Sequence, residues 1–104
     1  MSELEDELER LLDGMTIALA ELEKHSQTAA QAEVAYKVKY AQRVLASTEK
    51  TVSMKEHDAT VACERELWER AVSERLERLA REKLQAFRSS MDAIRSLMVQ
   101  ARSI

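Results

Sequence analysis

Apolar residues recur along this chain at helical spacing. Leu4, Leu8, Leu11, Met15, Leu19 and Leu22 fall three or four residues apart, which puts them on one face of a helix. Ser2 stands where an N-cap belongs, and the acids after it suit the positive end of a helix dipole. A second run follows: Ala30, Val34, Val38, Ala41, Leu45, Thr48 and Val52. Between the two lies the polar stretch "KHSQT". A kink or short break near His25–Thr28 is the favoured reading. The stripe stays roughly in phase across it, so one continuous helix is the alternative.

The segment "STEKTVSMKEHDAT" is the best turn candidate, because Ser and Thr compete for backbone hydrogen bonds outside helices. Ser53 and Glu56 have capping-box spacing, and Asp58 is a second possible N-cap. Beyond it Val61, Trp68, Val72, Leu76, Ala80, Leu84, Phe87, Met91, Ile94, Met98 and Ala101 form a long helical pattern. Its steps are mostly four, and Leu76, Phe87 and Met98 lie eleven apart, so the expected seam is straight or slightly right-handed rather than a left-handed heptad coil. Together the pattern predicts an all-α fold, an antiparallel helical hairpin in a single domain. Its parts are an acidic helix over 1–23, a second segment over 27–50, a turn over 51–57 and a long helix over 58–103.

Composition agrees. The chain has no proline, one glycine and four aromatic residues, which leaves little material for turns, hairpins or a thick core. Its wealth of Ala, Glu, Leu, Lys and Arg is that of long helices. Charge then fixes orientation. Residues 1–23 hold eight acids against one base, Arg10, while 78–104 hold six bases against two acids. Residues 27–55 are basic and 56–77 acid-rich. Folding the chain near 50–57 lays each segment against one of opposite sign, as flanking charges do in coiled coils. One thin hairpin buries little, so self-association is expected, as a homodimer or higher homo-oligomer. Cys63, Leu67, Trp68 and Ala71 are the candidate oligomer face.

Candidate chemistry is sparse. His57 and Cys63 are six apart, roughly 240° around a helix and about 9 Å along it, so they cannot form a nucleophilic pair. No metal-ligand spacing such as HxxxH, CxxC or HExxH occurs. No catalytic, cofactor or metal site is expected, and the chain reads as non-enzymatic. Tyr36, Lys37, Lys39, Tyr40 and Arg43 interleave aromatics with bases, a pattern that can stack single-stranded bases and neutralise phosphates. The plainer reading has the tyrosines covering the hairpin seam beside solvated lysines. Arg81, Arg88, Arg95 and Arg102 recur every seven residues along one flank. That stripe is either a nucleic-acid footprint or the partner of the acidic N-terminus. A lone cysteine, no signal-peptide pattern and no apolar run near the ~20 residues that span a bilayer fit a cytoplasmic protein away from membranes.

Three stretches carry a resemblance: "TAAQAEVAYKVKYAQRVLAS", then "VACERELW" after a polar turn, then "LERLAREKLQAFRSSMDAIRSLMVQARS". Over residues 26–104 the chain resembles a group of small all-helical proteins of tailed phages and prophages. The acidic, leucine-rich N-terminus is outside that pattern. The resemblance implies no enzyme activity, a bacterial host cytoplasm and an accessory setting among phage replication and recombination genes. Two functions follow as expectations: an interaction or adaptor protein working through protein contacts, or a nucleic-acid-binding accessory factor.

Overall fold

A computed structural model describes residues 2–103. They form three helices, α1 (Glu3–Ala46), α2 (Val52–Ala62) and α3 (Glu64–Ser103), and no strand is present among them. The fold is all-α, and α1 runs antiparallel to α3 as a helical hairpin. Ser2 caps α1 as expected, its Oγ accepting the Glu5 N–H at 3.2 Å. α1 is continuous through 24–28, so the break favoured there does not form. "KHSQT" contains no proline or glycine, and its polar side chains leave the backbone ladder intact.

The connection lies earlier than the expected 51–57. Helix α1 ends at Ala46 and α2 begins at Val52. Thr51, not Ser53 or Asp58, is the N-cap: its backbone is extended and its side chain accepts the Met54 N–H at 3.1 Å. Ser47 tightens the turn, accepting the Glu49 N–H at 3.2 Å and donating to Asp58 at 3.3 Å. Asp58 is thus a turn partner inside α2. At Cys63 the helix is interrupted for one residue, with φ −104 and ψ 18. The Cys63 N–H still bonds Ala59 O, and its carbonyl still accepts the Leu67 N–H, so the side-chain phase carries across the interruption.

Packing falls into two compact units. The first joins the N-terminal residues up to Lys24 with those from Arg78 onward. Here Leu4, Leu8, Leu11, Met15, Ala18 and Leu22 of α1 are turned inward, as are Ala80, Leu84, Phe87, Met91, Ile94 and Met98 of α3. Ala18, Ala80, Leu84 and Met91 are buried. Leu19, expected in the stripe, is exposed. Gly14 sits against the Phe87 ring: a Cβ at that position would lie 2.6 Å from Phe87 Cε1. Lys83 Nζ reaches Glu21 at 3.3 Å, an exposed pair of the kind the charge pattern anticipates and one that contributes little.

The second unit comprises His25–Glu77. Its inward positions on α1 are His25, Ala29, Ala32, Tyr36, Lys39 and Tyr40. From α2 and α3 they are Ala59, Cys63, Glu66, Arg70, Ser73 and Glu77. Spacing alternates four and three from His25 to Lys39 and from Ala59 to Glu77, and it does so again in the first unit. That is the heptad spacing of a left-handed seam, and it replaces the straight or right-handed seam expected from steps of four. The cause is a mixing of faces. Val61, Trp68 and Leu76, read as seam residues, are exposed. So are Ala30, Val34, Val38, Ala41, Leu45, Thr48 and Val52, the whole of the expected second stripe. The true inward set on α1 lies one or two residues away, and a one-residue shift turns a helix face by about 100°.

Candidate interaction site

The second unit holds most of the residues singled out by sequence. Its seam is built from small and polar groups. Ala59 and Cys63 are fully buried and Ala29 and Ser73 nearly so. Small side chains let two helix backbones approach closely, and that approach brings the long polar side chains on the flanks into mutual reach. Lys39 Nζ donates to Glu66 Oε1 at 2.7 Å, with both side chains largely covered. Glu66 Oε2 is buried without a hydrogen-bond partner. The Arg70 guanidinium lies over the Tyr36 ring, 4.6 Å from its centroid, in cation–π geometry. Tyr36 and Tyr40 stack obliquely, ring centroids 5.8 Å apart.

Electrostatics follow this geometry. The Lys39 ammonium, helped by a backbone N–H, holds the Glu66 carboxyl below the usual carboxylate range. Burial pushes the Tyr40 phenol up, reinforced by the Glu56 charge and partly offset by the Thr60 hydroxyl. A carboxylate with a depressed folded pKa stabilises the fold above its unfolded pKa, and that contribution is lost as pH falls through the folded value. Urea unfolding of the wild type and of Glu66→Gln at pH 7 and pH 3 therefore gives a clear expectation. The wild type is the more stable at pH 7, and the difference is smaller at pH 3. Parallel pH profiles would show that the Lys39–Glu66 contact does not contribute.

The aromatic–basic cluster is divided by the fold. Tyr36 and Tyr40 are half-buried in the seam, and one Tyr36 face is occupied by Arg70. Lys39 is engaged with Glu66, and exposed Lys37 with Glu33 at 3.1 Å. Arg43 is exposed. The stripe of Arg81, Arg88, Arg95 and Arg102 lies exposed along α3. Within it Arg95 faces Asp92 of its own helix at 3.9 Å, a distant and exposed pair. The expected oligomer face is also divided. Trp68 and Ala71 are exposed, Leu67 is half-buried, and Cys63 is 0% exposed, beside Tyr40 in the seam. Cys63 therefore cannot belong to an outward face.

Large apolar side chains stand exposed on this unit among its charged ones. Val34 is 60% exposed and Trp68 67%, with Val38, Leu45, Val61 and Leu76 also open. A groove of about 410 Å³ runs between α1 and α3, bordered by Thr28, Gln31, Ala32, Ala35, Trp68, Glu69, Val72 and Ser73. A second depression, about 500 Å³, is lined by Ala30, Gln31, Val34, Ala35 and Val38. They share Gln31 and Ala35, so they form one continuous surface. The polar seam was missed by sequence reading, although Lys39, Glu66 and Arg70 sit at heptad spacing with Ala32, Ala59, Cys63 and Ser73. That spacing was the available signal.

Among the described residues, no cluster of His, Cys, Asp and Glu could hold a metal ion, and no helix is long and apolar enough to cross a membrane. No family model, characterised protein or solved structure matches the chain.

Proposed function

We propose that this chain is a non-enzymatic helical interaction protein that works by presenting helix faces to other polypeptide. The observation that carries this reading is the inversion within residues 25–77. Lys39, Glu66 and Arg70 are spent on contacts inside the unit, while Val34, Val38 and Trp68 point outward. Exposed large apolar side chains on both helices favour a protein surface as ligand. The resemblance to small phage and prophage helical proteins suggests a phage setting for that contact.

Nucleic-acid binding is the second reading, and the exposed Arg81, Arg88, Arg95 and Arg102 are the observation that favours it. Fluorescence anisotropy with labelled single-stranded and duplex DNA across a salt series separates the two. The protein-contact reading expects no binding even at low salt. Binding that falls steeply as salt rises would transfer the function to DNA, because counterion release gives each neutralised phosphate a salt dependence.

A further inference from the structure

We propose that the flank of the first unit where Leu12 and Leu19 of α1 stand beside Arg95 and Arg88 of α3 docks an acidic amphipathic helix of another protein. This deepens the interaction reading above and rests on it.

Heptad spacing gives the antiparallel seam two flanks, and the contacts show which residues share each. Glu21 and Lys83 meet across one flank at 3.3 Å. On the other, Glu5 and Arg102 border one depression together with Leu4 and Met98. A step of seven residues keeps to the same flank of a heptad helix. Such steps carry Glu5 to Leu12 and Leu19 on α1, and Arg102 to Arg95 and Arg88 on α3. The helices run in opposite directions, so Leu12 lies across from Arg95 and Leu19 across from Arg88. Leu12 is 43% exposed and Leu19 44%, and both arginines are exposed. Arg95 faces Asp92 of its own helix at 3.9 Å, a contact weak enough for a better partner to displace.

Two features select the occupant. One is the repeat. A leucine beside an arginine recurs after seven residues, about 10.5 Å along the hairpin. A helix laid alongside, with apolar side chains and carboxylates at heptad spacing, meets both pairs at once. Its apolar stripe covers Leu12 and Leu19, and its acids face Arg88 and Arg95. The other feature is what surrounds the arginines. Glu9 and Glu23 lie four residues on from Glu5 and Leu19, hence on the same flank, and both are exposed. These carboxylates repel a phosphate backbone, and the leucines offer it nothing. They suit a helix with an apolar stripe and bases on its second flank. The arginines alone favour DNA, and their neighbours favour polypeptide.

Fluorescence anisotropy of the full chain with a fluorescein-labelled peptide of three heptads tests this. Each heptad carries two leucines, with glutamates on one flank and lysines on the other. Binding with a dissociation constant below about 100 μM is expected. Exchanging the peptide's glutamates for glutamine should weaken it about 10-fold or more, as should combining Arg88→Glu with Arg95→Glu in the chain. Arg65→Glu with Arg75→Glu makes the same change in net charge within the other unit. It should leave binding within about 2-fold, because distant exposed charges are screened. Far-UV circular dichroism verifies that each variant remains helical. No binding at 100 μM overturns the proposal, and so does an equal loss in the Arg65 and Arg75 variant. Duplex DNA that displaces the peptide at physiological salt overturns it as well, and the protein-contact reading with it. Failure of the peptide without DNA binding leaves that reading standing on Val34, Val38 and Trp68.

Discussion

Leu84→Ala is expected to lower the stability of the chain by about 2–3 kcal/mol, read as a shift in the urea midpoint without a large change in slope. Leu84 is only 4% exposed, in a seam that also buries Ala18, Ala80 and Met91. Truncation removes the transfer free energy of the lost methyl and methylene groups and leaves a cavity. Leu→Ala substitutions in thick cores reach about 5 kcal/mol. A seam two helices wide sits close to solvent and can settle inward, so the low end of the range applies here. Leu79→Ala is the internal control. Leu79 is 51% exposed, and its loss should cost well under about 1 kcal/mol. Equal effects at the two positions would contradict the assignment of Leu84 to the inward face.

Gly14→Ala is expected to destabilise the chain by about 1 kcal/mol, although alanine is the better helix former by about that amount. The steric term outweighs propensity. An added Cβ would lie 2.6 Å from Phe87 Cε1 and 2.8 Å from Cζ, and overpacking of this kind typically costs about 1–3 kcal/mol. The ring's far end can swing aside, which limits the loss but disturbs the Phe87 packing. The decisive measurement is the sign in a second background. With Phe87→Ala the obstruction is gone, and Gly14→Ala should then stabilise by about 1 kcal/mol through propensity alone. A stabilising Gly14→Ala in the wild type would mean that the ring relaxes without cost.

The reason for this chain's single glycine was not legible in its sequence. Gly14 falls in an otherwise strong helical pattern, and nothing local indicates that an aromatic ring from far along the chain lies against it. The all-α hairpin, its antiparallel pairing and the N-terminal cap at Ser2 were legible, because each depends on local spacing or on charge blocks, whereas the separate α2 and the interruption at Cys63 were not. In the first unit the inward residues were largely legible too, since the large apolar side chains there are the buried ones. In the second unit the same rule pointed to the wrong face. Val34, Val38 and Trp68 have the size of core residues but lie outside, while Ala29, Ala59, Cys63 and Ser73 fill the seam. Size marks a core when burial drives packing. It misleads where close backbone approach and a polar contact such as Lys39–Glu66 occupy the seam instead. The turn was misplaced by a few residues for a related reason: several hydroxyls in 47–60 could cap, and only the fold selects Thr51.

Cys63 has a consequence for how the molecule can be observed in motion. Its sulfur is sealed from solvent at the one-residue interruption between α2 and α3. A thiol reagent can reach it only while the surrounding helices are apart. The ratio of its modification rate to that of a free thiol is then the fraction of time the seam stands open. The chain carries one cysteine, so that signal has one source and needs no engineered label. The residue that looked most like a reactive centre thus serves as a clock for local unfolding of the hairpin.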